Sequence, residues 1–562
     1  MATDRKPAKK EQEETDVVGT LMSLTIAFTL AMAFRGFVLE GFVIPTGSMG
    51  PTLMGEHVRL LSPATAYEYP ADSQVQRGML MTGDARPMAI VDPMVSSRRP
   101  IEQREPASIV ADARSGDRVA VLKPLYAFSS PQRWDVVVFK NPPDPVGPSQ
   151  NYIKRLVGLP NETVLLLDGD VFIGPVDAAP RSLRIERKPE HVQRALWQPI
   201  HDGDYQPVVP LQVLETAMRV PWPGGPWKPV AAAGSWRMSP SREWTFSGTG
   251  GTALQWNGEA FPLDDWNAYN ALRMAFGAMR LTPQGIADLA WRQQECFPVS
   301  DLRVCASIEC GAMGDFATTL ELAARNSVME LTVRGSGEAE VVRRHAETGA
   351  ELGTAKGSFV PPADGILSLE LWHVDQQLWV FVGGNAVIRM PYDYATVEER
   401  ITASMFGRTV EQYVQRPADT RMPTPPRLAW RFETSAPFTL RRVRLDRDLY
   451  YRPVLHDANN QFAVNGEYVT GTGFACSYES PARLGPTDHL MLGDNSAASR
   501  DARLWGRAHP LSLRTFGDSQ PGVVPRDMIV GKAFFVYFPS FMSRRPGGTG
   551  FIPDFGRMRF IR

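Results

Sequence analysis

From Val17 to Phe34 the chain reads VVGTLMSLTIAFTLAMAF, eighteen residues without a charge. At about 1.5 Å rise per residue such a helix nearly crosses a hydrocarbon core about 30 Å thick, and the apolar residues beyond Arg35 extend it. From Val43 to about Leu167 the pattern changes to short apolar runs between turn residues: DRVAVL, WDVVVF, YIKRLVG and ETVLLLDGDVFI. These predict short strands, and Asp168-Gly169 between two apolar runs predicts a hairpin. Residues 62–114, rich in Pro, Ser, Arg and Met, read as an irregular surface excursion. Further on, NAYNALRMAFGAMRL and the segment opened by Thr282-Pro283 carry helical spacing, the second with a capping Thr and a first-turn Pro. Long alternating runs follow, such as GILSLELWHVDQQLWVFVGGNAVIRM, which predict an antiparallel sandwich. The last 110 or so residues return to short strands, HLMLGDNS and MIVGKAFFVYF among them.

The pattern therefore divides the chain as follows. Residues 1–16 form a charged, disordered tail, and 17–40 an anchor helix. Residues 41–165 and 450–545 are the two halves of a split antiparallel β domain, with 546–562 as a C-terminal tail. Residues 166–449 form an insertion, a helical segment followed at about 230–449 by a β-sandwich whose strand texture around LSLELWHVDQQLWVFVGGN resembles a concanavalin- or laminin-G-like jelly roll. The fold class is mainly β with one transmembrane helix.

Charge adds little and excludes something. Sixty Lys and Arg against 61 Asp and Glu leave a formal charge of −1, so no basic field points to nucleic acid. Arg5, Lys6, Lys9 and Lys10 precede the apolar run and only Arg35 follows closely. That asymmetry puts the N-terminus in the cytoplasm and the rest outside the cell membrane, as a single-pass protein. The bulky RGFVLEGFVIP after the run disfavours a cleaved leader. Cys296, Cys305, Cys310 and Cys476 lack zinc spacing, and a Cys305–Cys310 bridge is an open possibility. Neither a metal nor a cofactor is expected.

The chemistry begins at GFVIPTGSMGPTL. Pro45 and Pro51 fix the backbone on either side of Ser48, and Gly47 admits a close approach. TGSMG is not the G-x-S-x-G elbow of α/β-hydrolases, and a serine in a tight turn is by itself a weak signal. A nucleophile needs a base, and none of the eight His lies in a catalytic pattern. NYIKRLVGLPNETV offers another route. On a strand, Tyr152, Lys154 and Leu156 share one face, with Arg155 on the other. A lysine aimed into apolar surroundings sheds its charge more easily, because desolvation penalises the ammonium. The same pattern also fits a surface Lys-Arg pair on an edge strand.

IPTGSMGPTL, SGDRVAVL, RWDVVVFK, YIKRLVGLPNETV and LGDNSAASRDARLWG resemble, in this order, the conserved boxes of the bacterial type I signal peptidases, membrane-anchored Ser/Lys endopeptidases. The resemblance covers roughly residues 17–60, 115–170 and 485–540. It implies Ser48 as nucleophile and Lys154 as general base. It implies an oxyanion hole from the Ser48 N–H and the Thr46 hydroxyl, where family members commonly carry serine in place of Thr46. It also implies Ser499 as the residue orienting Lys154, with Asp501 and Arg503 as a supporting ion pair. Where the family often reads GDNRDNS this chain has Gly493-Asp-Asn-Ser-Ala-Ala-Ser499, which removes the usual basis for a role of residues 496–498. The implied partners are preprotein signal peptides, the lipid bilayer and an export translocon. FFVYFPSFM reads as a strand of the catalytic sheet or as an apolar surface dipping into lipid.

Two other readings stand beside this one. A membrane-tethered binding protein would use the sandwich and carry an inactive peptidase frame, but retention of Ser48, Lys154, Ser499, Asp501 and Arg503 argues against a dead site. A Ser/Lys autoprotease of the repressor-cleaving type would be soluble, and the anchor counts against it. Within the insertion, Trp372 and Trp379 read as sugar-stacking platforms or as core residues, and no ligand is assigned.

Overall fold

The computed structural model describes residues 17–72, 88–96, 101–103, 110–144, 146–215, 218–271, 296–405, 407, 409, 411–412, 423–453, 455–456, 463–464, 467–468, 471–506, 508–516, 520–539 and 554–562. The predicted 1–16 tail and most of the predicted helices between Asn267 and Ala290 lie outside these residues. Asn267 caps a single 3-10 turn, Ala268–Asn270, by accepting a hydrogen bond from the Tyr269 N–H.

The apolar N-terminal run forms the helix Val17–Phe37. It is long and apolar enough to cross a membrane, and none of its span is buried against the rest of the protein. The chain then enters a sheet built from both ends of the sequence. Its order is Leu39–Val43, Arg118–Leu122, Ile529–Phe538, Val136–Lys140, Asn151–Gly158, Asp488–Leu492 and Val524–Pro525. The strands come from positions about 490 residues apart and are joined edge to edge by antiparallel ladders. Lys154 pairs with Val137, and Arg155 pairs with Val136 on one side and Leu492 on the other. The lysine strand is therefore interior, and the edge-strand reading fails.

Three boundaries differ from the sequence reading. Within 62–114, Glu68–Asp72 and Val110–Arg114 both pair with His57–Leu61 in a small sheet, whose Tyr69 and Ala71 are buried. Short strands, Pro70 within one of them and charged residues among their apolar positions concealed it. The C-terminal segment is not a free tail, since Arg559–Phe560 pairs with Phe535 and Val536. Of FFVYFPSFM, residues up to Phe538 form a strand with Ala533 and Val536 buried and Tyr537 partly exposed. At the start of the expected insertion, the hairpin does form. Asp168 and Gly169 adopt positive φ, 49° and 83°, which suits a two-residue turn. Its second strand, Asp170–Pro175, and Arg184–Ile185 stay in one sheet with Glu162–Leu167 and Ala482–Arg483, so the split domain extends beyond residue 166.

The sandwich runs from Gln198–Asp202 to Phe438–Arg447. One sheet orders Trp236–Met238, Trp244–Phe246, Phe438–Arg447, Leu302–Cys310, Ile366–Val374, Gln377–Val382 and Asn385–Pro391. The other orders Trp227–Ala231, Gly250–Trp256, Arg427–Thr434, Ala317–Ala324, Ser327–Arg334, Glu338–His345 and Glu351–Ser358. Alternation is regular: Leu320 and Leu322 turn inward, Thr319 and Glu321 outward. Cys305 and Cys310 lie on one strand five positions apart, hence on opposite faces and about 16 Å distant, and both are free. The open possibility of a bridge is thereby closed by geometry. Trp372 and Trp379 are buried with Trp197, and the Arg194 guanidinium lies 4.8 Å from the Trp372 ring. They pack the sandwich onto the segment leading into it and present no stacking surface.

A buried ionic junction ties the two parts together. Arg400 donates to Asp168 at 2.7 Å and Asp170 at 2.9 Å, while Arg325 reaches Asp168 at 3.0 Å and Asp301 at 2.6 Å. Lys188 Nζ bonds Asp375 at 2.5 Å and Asp448 at 2.8 Å. Asp170, Asp301 and Asp375 converge closely, and the neighbouring guanidinium and ammonium groups supply their counter-charge.

Candidate active site

Ser48 sits in the 3-10 turn Gly47–Met49, directly after the first sheet strand has ended. The turn is pinned at its base: Ile44 N–H donates to Asp117 O at 2.9 Å, and Met54 N–H to the Asp117 carboxylate at 3.1 Å. Met49 and Leu53 are fully buried, and Thr46 stands exposed before the serine. Apolar anchors on one side leave Ser48 half-exposed on the other, which is how a short segment presents a hydroxyl rigidly.

Lys154 Nζ lies 2.7 Å from Ser48 Oγ and 3.0 Å from Ile153 O. Its ammonium also lies 5.8 Å from the centre of the Tyr152 ring. The residue is 3% exposed. Burial pushes the amine down from its ordinary 10.5 to about 8, against an opposing pull from Asp501 and Asp494. Neither carboxylate bonds to it. Asp494 is engaged by Arg155 through two bonds of 2.8 and 2.7 Å, both side chains fully buried. Asp501 is engaged by Arg503 at 2.9 and 2.8 Å and accepts the Gly493 N–H at 2.9 Å. Burial alone would raise the Asp501 carboxyl, but Arg503 and these hydrogen bonds hold it below its ordinary value. Arg155 and Arg503 keep both carboxylates engaged, so the amine feels their field without a salt bridge.

Asp501 and Arg503 form an ion pair at the start of a 3-10 turn, Ala502–Leu504, which Asp501 caps by accepting the Arg503 N–H at 3.2 Å. Ser496, in the altered part of the box, accepts from Arg503 Nη1 at 2.8 Å and from the Arg452 N–H at 2.8 Å. Ser499 is buried and its Oγ packs against Gly493, but it makes no hydrogen bond to Lys154. Thr46 Oγ1 lies 3.4 Å from Ser48 Oγ, on the same open side as the serine hydroxyl. A cleft of about 360 Å³ opens there, lined by Phe42, Ile44, Val138, Tyr152 and Ile153. It is mostly apolar and ends on the Ser48–Lys154 pair.

Four groups that matter here were not singled out from the sequence: Arg155, Asp494, Asn495 and Asn270. Asn495 bonds Gly47 O, Ser48 O and Asn270. Asp494 and Asn495 belong to a quoted box, so their signal was on the page. Asn270 bonds across 225 positions and has no local pattern.

Comparisons with known proteins match part of the chain. Residues 95–210 match the family described as signal peptidase, peptidase S26. That range contains Lys154 and excludes Ser48 and residues 493–503. Signal peptidase I of Rickettsia typhi is 26% identical over 151 residues, 27% of this chain and 41% of that protein. Signal peptidase I of Rickettsia bellii is 24% identical over 151 residues, 27% of this chain and 37% of that one. The chain thus spans about two fifths of the length of these curated relatives. Among solved structures, a carbohydrate binding module, CBM66, from Bacillus subtilis aligns at 9% identity and a TM-score of 0.22, over 39% of this chain and 95% of that one. A β-glucanase of Bacillus licheniformis aligns at 6% and 0.20, over 38% and 82%. Likenesses this slight bear on neither fold nor ligand. Over residues 95–210 the chain is thus similar to the signal peptidase family, and it carries a large extra region beyond that match.

Proposed function

We propose that the protein is a membrane-bound serine endopeptidase that removes signal peptides from exported preproteins, cutting after small residues. The observation that carries the reading is a buried lysine amine, lowered to about 8, at 2.7 Å from a half-exposed serine hydroxyl. Neutral Lys154 takes the Ser48 proton as Oγ attacks the scissile carbonyl. The carbonyl oxygen gains the negative charge, and the Ser48 N–H and Thr46 hydroxyl stabilise it. As the C–N bond breaks, Lys154 gives its proton to the departing amine, leaving an acyl-enzyme. Water, deprotonated by the same amine, then attacks the ester and releases the new carboxyl terminus and Ser48.

The helix Val17–Phe37 supports a single-pass anchor, with its N-terminus cytoplasmic and the peptidase on the outer face of the cell membrane. That placement would set the cleft beside emerging signal peptides, close to the bilayer and to an export translocon. Asp501 and Arg503 support Lys154 by holding the Gly493–Ser499 segment against it. Ser499 is proposed as a packing neighbour of that segment.

The test is cleavage of a preprotein by the full chain in detergent micelles, compared with Ser48→Ala and Lys154→Ala. Both variants are expected to retain the fold and lose cleavage. Wild-type activity in either would overturn its assigned role.

A further inference from the structure

The insertion does more than occupy space beside the catalytic sheet, because one of its turns is built into the back of the serine loop. The Tyr269 hydroxyl accepts the Gly55 N–H at 3.1 Å. Its ring covers Gly47 and Gly50 so closely that a Cβ on either would come within 2.6 Å of it. Beside it, Asn270 and Asn495 form a reciprocal amide pair. Asn270 Nδ2 donates to Asn495 Oδ1 at 2.7 Å, and Asn495 Nδ2 donates to Asn270 Oδ1 at 2.8 Å. The second Asn495 amide hydrogen goes to Gly47 O at 2.9 Å, and the Asn495 backbone N–H goes to Ser48 O at 3.0 Å. Asn270 is 5% exposed and Asn495 is 1% exposed.

A trans peptide is planar, with its C=O and N–H pointing opposite ways. Holding Gly47 O toward Asn495 therefore turns the Ser48 N–H away from Asn495. An amide side chain has a donor end and an acceptor end. If the Asn495 amide were reversed, its oxygen would meet Gly47 O and the side-chain bond to Gly47 O would be lost, leaving the Asn495 backbone N–H on Ser48 O. Asn270 opposes a reversal of Asn495 alone, since it offers an acceptor to Nδ2 and a donor to Oδ1 at once. We infer that Asn270, supplied by the insertion, is a positioning residue that fixes the Asn495 amide and through it the direction of the Ser48 N–H, the oxyanion donor of the proposed mechanism. The inference rests on Ser48 as nucleophile. It makes the insertion part of the catalytic apparatus although it touches no reacting atom.

The experiment measures kcat and KM per titrated active site on an internally quenched peptide with alanine one and three positions before the cut. The full chain is compared with Asn270→Ala, Asn495→Ala and their combination, with Ser48→Ala as reference. Asn270→Ala is expected to lower kcat about 10- to 100-fold, a share of what loss of one oxyanion donor costs. KM should stay within about twofold and the pH midpoint should not move, since an interaction made only in the transition state is weakened. The double variant should be no slower than Asn495→Ala, because Asn270 acts only through it. Should Asn270→Ala fail to fold, Asn270→Ser, which can satisfy only one end of the Asn495 amide, should show an intermediate loss. A wild-type kcat in the folded variant, a loss confined to KM, or a double variant with the product of the single losses would overturn the inference. Residual cleavage by Ser48→Ala would overturn the nucleophile reading instead, and an inactive Ser48→Ala beside a fully active Asn270→Ala would sink this inference alone.

Discussion

Two buried lysines in this molecule show opposite outcomes of the same desolvation. Lys154, 3% exposed, faces a serine hydroxyl and a carbonyl, and burial brings its amine down to about 8. Lys188, 7% exposed, is equally starved of water, yet contact with Asp375 and Asp448 raises its amine above the ordinary value. Burial lowers a lysine only when no carboxylate touches it. At Lys154 the two nearest acids are withheld by Arg155 and Arg503. One lysine is thereby left without a salt bridge, and the other is made a structural cation that joins the segment before the sandwich to Asp375 and Asp448.

The comparison can be broken from either side. The largest effect is expected at Lys154. Lys154→Ala should lower the cleavage rate by about 10³-fold or more, within the range of a lost general base, while the thermal midpoint holds or rises because a penalised buried group is gone. Lys188→Met should do the reverse. It strands two buried carboxylates and should cost about 3–5 kcal/mol of stability, read by denaturant unfolding, with an unchanged pH midpoint in the folded fraction. Thr46→Val should lower kcat by about 10²-fold if its hydroxyl serves the oxyanion, and Thr46→Ser should restore it. Smallest should be Arg431→Ala on the outer sandwich face. It breaks exposed pairs to Glu321 and Glu330, each worth about 0–1 kcal/mol, and should leave kcat untouched.

What the sequence made legible follows the range of each interaction. Ser48 and Lys154 stand in short runs that are weak signals taken singly, and it was the resemblance of five ordered boxes to a known family that put them forward together. The Asp168-Gly169 turn and the sandwich strands were legible from local pattern alone. The small sheet of 57–72 and 110–114 was not, because its strands are short, one of them carries Pro70, and charged residues stand among their apolar positions. Nor did composition reveal that Asp168 doubles as an ionic anchor for Arg325 and Arg400, from 157 and 232 positions away. The Arg155–Asp494 and Asn270–Asn495 pairs escaped because each joins segments that only the folded chain brings together. The Ser499–Lys154 bond implied by resemblance does not form here, since the Ser499 hydroxyl packs against Gly493.

The central claim is that Lys154 is neutral when it acts, and the most direct measurement is the pH dependence of kcat/KM for peptide cleavage by the full chain. With the amine lowered, its proton is lost as pH rises through about 8. The rate should therefore climb about tenfold between pH 7 and pH 9 and then level off. A rate already flat across that window, or one still rising toward 10.5, the ordinary value of a lysine amine, would contradict it.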